Sequence, residues 1–209
     1  MKKRILPIPL ILLIPILLLI IVVIGGVYRF SLSDEEILAK YPSSAVSFDP
    51  VVKAVFDLKS VNPWTIEVPE TSAFSFIDEL DSEQYIAYGH YDSGLERGTV
   101  RVDIGKVLPV PQVDYAAYLA PMSVSNQGSG VFYYLALFKF DTQRSRVVLA
   151  DSLYVGDRIS ITSLTAIEEG SIELQYLDRT DDSAMADTPT VEKKQRVVIS
   201  GQLKIIASE

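Results

Sequence analysis

Val131-Phe132-Tyr133-Tyr134-Leu135-Ala136-Leu137-Phe138-Lys139-Phe140 is apolar on both of its alternating faces, with Lys139 the single charge. Successive side chains of a strand point to opposite sides, so such a run predicts a central strand covered on both faces. The flanking segments read as strands too. Thr99–Ile104 alternates, with Val100, Val102 and Ile104 on one face and Arg101 and Asp103 on the other. Arg146–Ala150 and Ser152–Val155 form another strand region, with an irregularity expected at Asp151. Ile159–Ile167 and Ser171–Leu177 flank Glu168-Glu169-Gly170, a hairpin signal. Arg196–Ile199 and Gln202–Ile206 flank Ser200-Gly201, which reads as a two-residue hairpin turn. Strands are thus expected from Tyr85 onward. Short strands separated by turn residues predict a mainly β, antiparallel, sandwich or barrel-like domain.

The N-terminus has a different character. Ile5 to Ile24 contains no charged or polar side chain, and Lys2, Lys3 and Arg4 precede it. Twenty helical residues reach about 30 Å, the thickness of a bilayer hydrocarbon core. The segment is therefore expected to be a transmembrane helix in contact with the lipid bilayer, kinked at Pro15, with Tyr28 at the interface. Basic residues before it predict a cytoplasmic N-terminus and an extracytoplasmic C-terminal part. The run is longer than the ~7–15 residues of a signal-peptide core, and no Ala-x-Ala site follows, which favours an uncut anchor. The expected divisions are 1–28 for the tip and anchor, 29–60 for a membrane-proximal segment, and 61–209 for the β-rich domain.

The middle division carries local signals. Ser33-Asp34-Glu35-Glu36 has the form of a capping box, and Asp49-Pro50 that of an N-cap with proline at the first helical position. Val51–Lys59 fits a helical stripe and also alternates, so both readings stand. Pro63 and Pro69 bracket a short apolar piece, Trp64 to Val68.

Composition excludes several chemistries. Beyond Arg4 the chain has 16 basic residues against 27 acidic, a formal charge of −11. A domain so acidic is repelled by nucleic acid and by anionic headgroups. Absence of cysteine removes disulfides, thiolate nucleophiles and cysteine zinc sites, and one histidine removes the remaining zinc sets. His90 is the only imidazole available as a base, and Gln127-Gly128-Ser129-Gly130-Val131 is not the G-x-S-x-G elbow. Calcium would find carboxylates in Asp178–Asp187, but without the EF-hand glycine or its closing glutamate. No cofactor, metal or catalytic residue is expected.

Two polar loops are the candidate ligand carriers. One is Ser123–Gly130, with Asn126 and Ser129. The other is Asp178–Lys194, with Asp178, Asp181, Asp182 and Asp187. Gly156-Asp157-Arg158 reads as a structural turn whose charged pair ties it to a neighbouring loop such as Tyr176-Leu177-Asp178-Arg179. Tyr85, Tyr88, Tyr91, Tyr115, Tyr118, Tyr133 and Tyr134 are aromatic surfaces suited to interfaces or sugars, and equally to half-buried sheet positions.

Gly128-Ser129-Gly130 before an aromatic strand, Val155-Gly156-Asp157-Arg158-Ile159, Tyr176-Leu177-Asp178-Arg179 and the Met185 to Pro189 stretch together resemble a domain of uncharacterised bacterial envelope proteins. The resemblance spans about residues 85–205 and implies a lipid or transmembrane anchor and a late hairpin. It implies no activity. The expectation is a non-catalytic module binding an envelope protein or cell-wall component, or assembling with itself. The alternative is a membrane-tethered hydrolase acting on envelope glycans through acidic residues.

Overall fold

The computed structural model describes residues 10–31, 47–110, 116–167, 170–180, 182–184 and 186–208. The chain divides into two compact units, 1–47 and 48–209. In the first, helix α1 spans Leu10–Ser31, 22 residues with Pro15 inside. Among the described residues no helix is long and apolar enough to cross a membrane. The expected membrane span is therefore not established by the fold. The capping box at Ser33–Glu36 lies outside the described residues.

The second unit opens with α2, Pro50–Phe56. Its ambiguous sequence resolves as helix because both ends are capped. Asp49 Oδ1 accepts the Val52 amide at 2.8 Å, Pro50 supplies a fixed φ, and Asp57 ends the helix in the left-handed region at φ 55°. Val51, Val52 and Phe56 are buried in the β domain's core. The expected boundary at residue 61 thus falls inside this unit, between α2 and its first strand.

Thirteen strands follow among the described residues: β1 Trp64–Glu67, β2 Phe74–Ile77, β3 Glu79–Asp81, β4 Ile86–Asp92, β5 Arg97–Asp103, β6 Leu108–Pro109, β7 Ala117–Asn126, β8 Val131–Asp141, β9 Arg146–Asp157, β10 Ser160–Ala166, β11 Ser171–Asp178, β12 Val191–Ile199 and β13 Ile205–Ser208. A nine-stranded sheet runs β2-β1-β9-β8-β7-β5-β4-β3, with β6 also paired to β7, and a four-stranded sheet runs β10-β11-β12-β13. The domain is mainly β, as expected, with a nearly closed barrel-like sheet and a second sheet packed on it.

Four features of the β domain depart from the sequence expectations. Strands begin at Trp64 rather than Tyr85; β1 and β2 are only four residues each, too short to show a period. The sheet is not wholly antiparallel, since β1 pairs β9 in parallel at Thr65↔Val148. Ser123–Asn126 belongs to β7, with Ser125 opposite Val131, which confines the loop to 127–130. The β12–β13 turn is longer than two residues. Ser200 N–H donates to Lys204 O at 2.9 Å, and Leu203 takes φ 56° so that its side chain is buried.

The barrel seam lies between β2 and β4. Ser75 Oγ donates to His90 O at 3.1 Å. A Cβ on Gly89 would sit 2.0 Å from Phe76 O, so only glycine permits this approach. Inside the barrel, Trp64 meets Phe138 edge-on at 4.9 Å and Phe56 of α2 at 4.8 Å. Val100, Val102, Met122 and Ile77 complete this interior.

β8 has the two-sided burial its sequence predicts. Tyr134, Ala136 and Phe138 face the barrel interior, while Leu135 and Leu137 meet Leu164, Ile172, Leu174 and Val197 of the second sheet. β9 keeps pace by bulging. Phe138 lies opposite Leu149 and Leu137 opposite Asp151, so Ala150 is the extra residue, one position from the expected irregularity. The bulge aims Asp151 at the second sheet, where its carboxylate accepts Lys204 Nζ at 2.9 Å and the Ile205 amide at 2.8 Å.

Phe138 is fully buried where three aromatic rings meet. Phe138→Ala should cost about 3–5 kcal/mol, while the half-exposed Leu80→Ala should stay within about 0.5 kcal/mol. Equilibrium urea unfolding of the full chain checks both; equal midpoints for the two variants would contradict the assignment of the core.

Candidate functional site

The residues singled out in the sequence mostly build a latch. Arg158 takes φ 51° and its amide donates to Val131 O at 2.8 Å. Its guanidinium donates from Nε to Ser129 O at 2.6 Å and from Nη2 to Ser129 Oγ at 2.9 Å. Asp157 Oδ1 accepts the Val131 amide at 2.9 Å, and Asp157 O accepts Arg179 Nη2 at 2.8 Å. Ser129, Asp157, Arg158 and Arg179 thus bind the entry of β8 to the ends of β9 and β11.

Two details differ from expectation. Gly156 is not the turning residue; it sits in β9, where a Cβ would lie 2.8 Å from Ile159 Cγ2. Arg158 makes the turn. The principal partner of the Asp157–Arg158 pair is the Ser129–Val131 stretch, with Arg179 adding a further tie.

The acidic loop is spent on similar work. Asp178 accepts the Arg179 amide at 2.7 Å and Lys193 Nζ at 2.8 Å. The Lys193 hydrogen bond, with the Arg179 amide behind it, holds the Asp178 carboxyl below the usual carboxylate range, against the opposing effect of burial. Asp187 Oδ2 accepts the Ala184 amide at 2.8 Å, closing a local turn. Asp182 is exposed on a turn, and Asp181 lies outside the described residues. Among the described residues no three histidine, aspartate or glutamate side chains gather as a cation would require. Ser129 engages Arg158, whereas His90 engages Thr99, so the structure gives these two no shared hydrogen bond.

The tyrosines divide. Tyr91 and Tyr134 are buried, and burial pushes the Tyr134 hydroxyl up to about 12. Tyr85 is exposed, Tyr88 and Tyr118 are half-buried, and Tyr115 lies outside the described residues.

A groove of about 610 Å³ opens where β2 meets the β4–β5 hairpin and the end of β7. Its lining includes Phe74, His90, Asp92, Arg97, Thr99, Asn126 and Gln127, with Tyr91 and Gly98 beneath. Alternation on β2 places Ser75 and Ile77 inside and leaves Phe74 55% exposed. Ser75 occupies a core position because its hydroxyl bonds across the seam.

Opposite Phe74, Asp92 Oδ2 receives Arg97 Nε at 2.8 Å. Asp92 Oδ1 also accepts the Gly94 amide at 2.8 Å, fixing the hairpin tip that carries Leu95, 94% exposed. His90 Nδ1 lies 3.1 Å from Thr99 Oγ1, and its Nε2 3.8 Å from Glu79 Oε1. Asn126 Oδ1 accepts the Gly128 amide at 2.9 Å. Asp92 is the one carboxylate among the lining residues, and Arg97 holds it. The paired carboxylates of glycoside hydrolysis are not assembled there.

Of this groove the sequence pointed to Asn126 and Gln127 in a candidate loop, Tyr91 among the aromatic surfaces and His90 as an isolated base, and it did not bring them together or include Phe74, Asp92 or Arg97. Its available signal was Ala73-Phe74-Ser75-Phe76-Ile77, an alternation with serine on the apolar side. Comparison with protein-family models, curated proteins and solved structures finds no match.

The latch predicts an acid response. The depressed Asp178 carboxyl contributes stability that is present above the unfolded value of about 3.9. That contribution is lost as pH falls through the lower folded value. Asp178→Asn should be less stable at pH 7 and show a shallower decline below about pH 4. Thermal unfolding across pH 2–7 measures this; parallel curves for the two proteins would contradict it.

Proposed function

We propose that the chain is a membrane-tethered, non-catalytic binding module whose β domain faces outside the cytoplasm and engages a component of the cell envelope. The groove carries the binding part of this reading. It is open, lined by polar side chains beside an exposed aromatic ring, and its carboxylate is neutralised by a partner. Such a surface suits recognition rather than bond cleavage, which needs a reactive group left poised.

The tether rests on α1. It takes in part of the run Ile5 to Ile24, which contains no charged or polar side chain and as a continuous helix would reach about 30 Å. Lys2, Lys3 and Arg4 at the opposite end from the acidic domain support an N-in orientation. The resemblance to envelope domains points the same way.

The chain has no cysteine, so single thiols report topology cleanly. Leu95→Cys should react with a membrane-impermeant maleimide in intact cells. Labelling only after lysis would overturn the orientation. A photo-crosslinking residue at position 76 should trap an envelope component in those cells, identified by mass spectrometry, whereas capture of nothing beyond the chain itself would sink the binding role.

A further inference from the structure

Resting on that binding role, we infer that the groove between β2 and the β4–β5 hairpin takes a neutral saccharide chain. Charge narrows the choice first. The groove's carboxylate and guanidinium neutralise each other at 2.8 Å, leaving no monopole for an ionic ligand. The surrounding domain, at −11 beyond Arg4, repels polyanions.

The lining selects among neutral ligands. An all-apolar ligand would strip water from Asp92, Thr99 and Asn126 and return no hydrogen bond. A saccharide has both halves of the complement: an axial C–H face for the exposed Phe74 ring and a hydroxyl rim for the polar groups opposite. The Asp92–Arg97 pair offers an acceptor beside a donor, the arrangement that adjacent hydroxyls bridge.

Strand addition by a peptide is disfavoured by the topology. β5 is paired by β4 and β7, while β4 is paired by β5 along its length and by β3 only over residues 86–88. The free side of β2 is closed by the Ser75–His90 hydrogen bond and by the approach at Gly89. With β2 set against Gly89 and His90, only the last two residues of β4 are left as main-chain edge, too short a stretch for a peptide to extend, so recognition falls to side chains. The volume, about 610 Å³, suits a short oligomer.

The test is calorimetric titration of the full chain in lauryldimethylamine oxide micelles, a detergent with no sugar headgroup. The probes are chitotetraose, cellotetraose and maltotetraose. At least one should bind saturably. Phe74→Ala should weaken it about tenfold and Asn126→Ala about threefold, while Phe74→Trp retains it and Leu80→Ala changes nothing. Absence of saturable binding by all three up to about 10 mM, or wild-type binding by Phe74→Ala, overturns the proposal. If no tetrasaccharide binds but the crosslinker at position 76 traps an envelope protein, the saccharide assignment falls and the binding role stands. If neither occurs, both fall.

Discussion

Everything in the β domain is arranged around the requirement that β8 be covered twice. Its side chains alternate between two apolar environments, so one sheet cannot satisfy it. The barrel-like sheet curls to enclose Tyr134, Ala136 and Phe138. The four-stranded sheet exists, in packing terms, to cover Leu135 and Leu137. The bulges in β9 follow from the same demand. A partner strand beside a two-sided strand must keep its own residues on the correct side while it curves, and an inserted residue does this. Asp151 then turns a local irregularity into a joint between sheets.

The legible parts of this fold were those where side-chain period and burial agree. β5 and β8 could be read directly, as could the β10–β11 hairpin, because long runs display their period. β1 and β2 could not, being four residues each, although Trp64 lies at the centre of the barrel. The parallel β1–β9 contact joins residues far apart in sequence, which no local pattern encodes. The turn falls at Arg158, at positive φ with its amide bonded to Val131 O, while Gly156 is needed for the close approach of Ile159. The groove was hidden for a related reason. It assembles from three strand ends, and its aromatic ring belongs to a strand whose inward position is filled by a serine.

The polar residues that stood out in the sequence and those that line the groove serve different ends. Ser129, Asp157, Arg158, Asp178 and Asp187 bond to backbone amides, carbonyls and one another, closing turns that would otherwise leave main-chain groups unpaired. Their conspicuousness is that of loop chemistry. Phe74, Asp92, Thr99 and Asn126 belong to strands or their margins, held by a rigid sheet. Groups placed this way would lose little freedom on meeting a ligand, so the proposed recognition would need no rearrangement of the scaffold.

The parallel contact of β1 with β9 also sets an order on assembly. β1 and β2 leave the ribosome some eighty residues ahead of the strand that receives them, as Thr65↔Val148 makes plain. Until β9 arrives, this ribbon holds Trp64, Ile66 and Ile77 without their final neighbours. Distant pairings of this kind are slow, and an early apolar hairpin is a point of mispairing. The interval between those two strands is therefore the part of synthesis in which this apolar ribbon lacks its cover from β9.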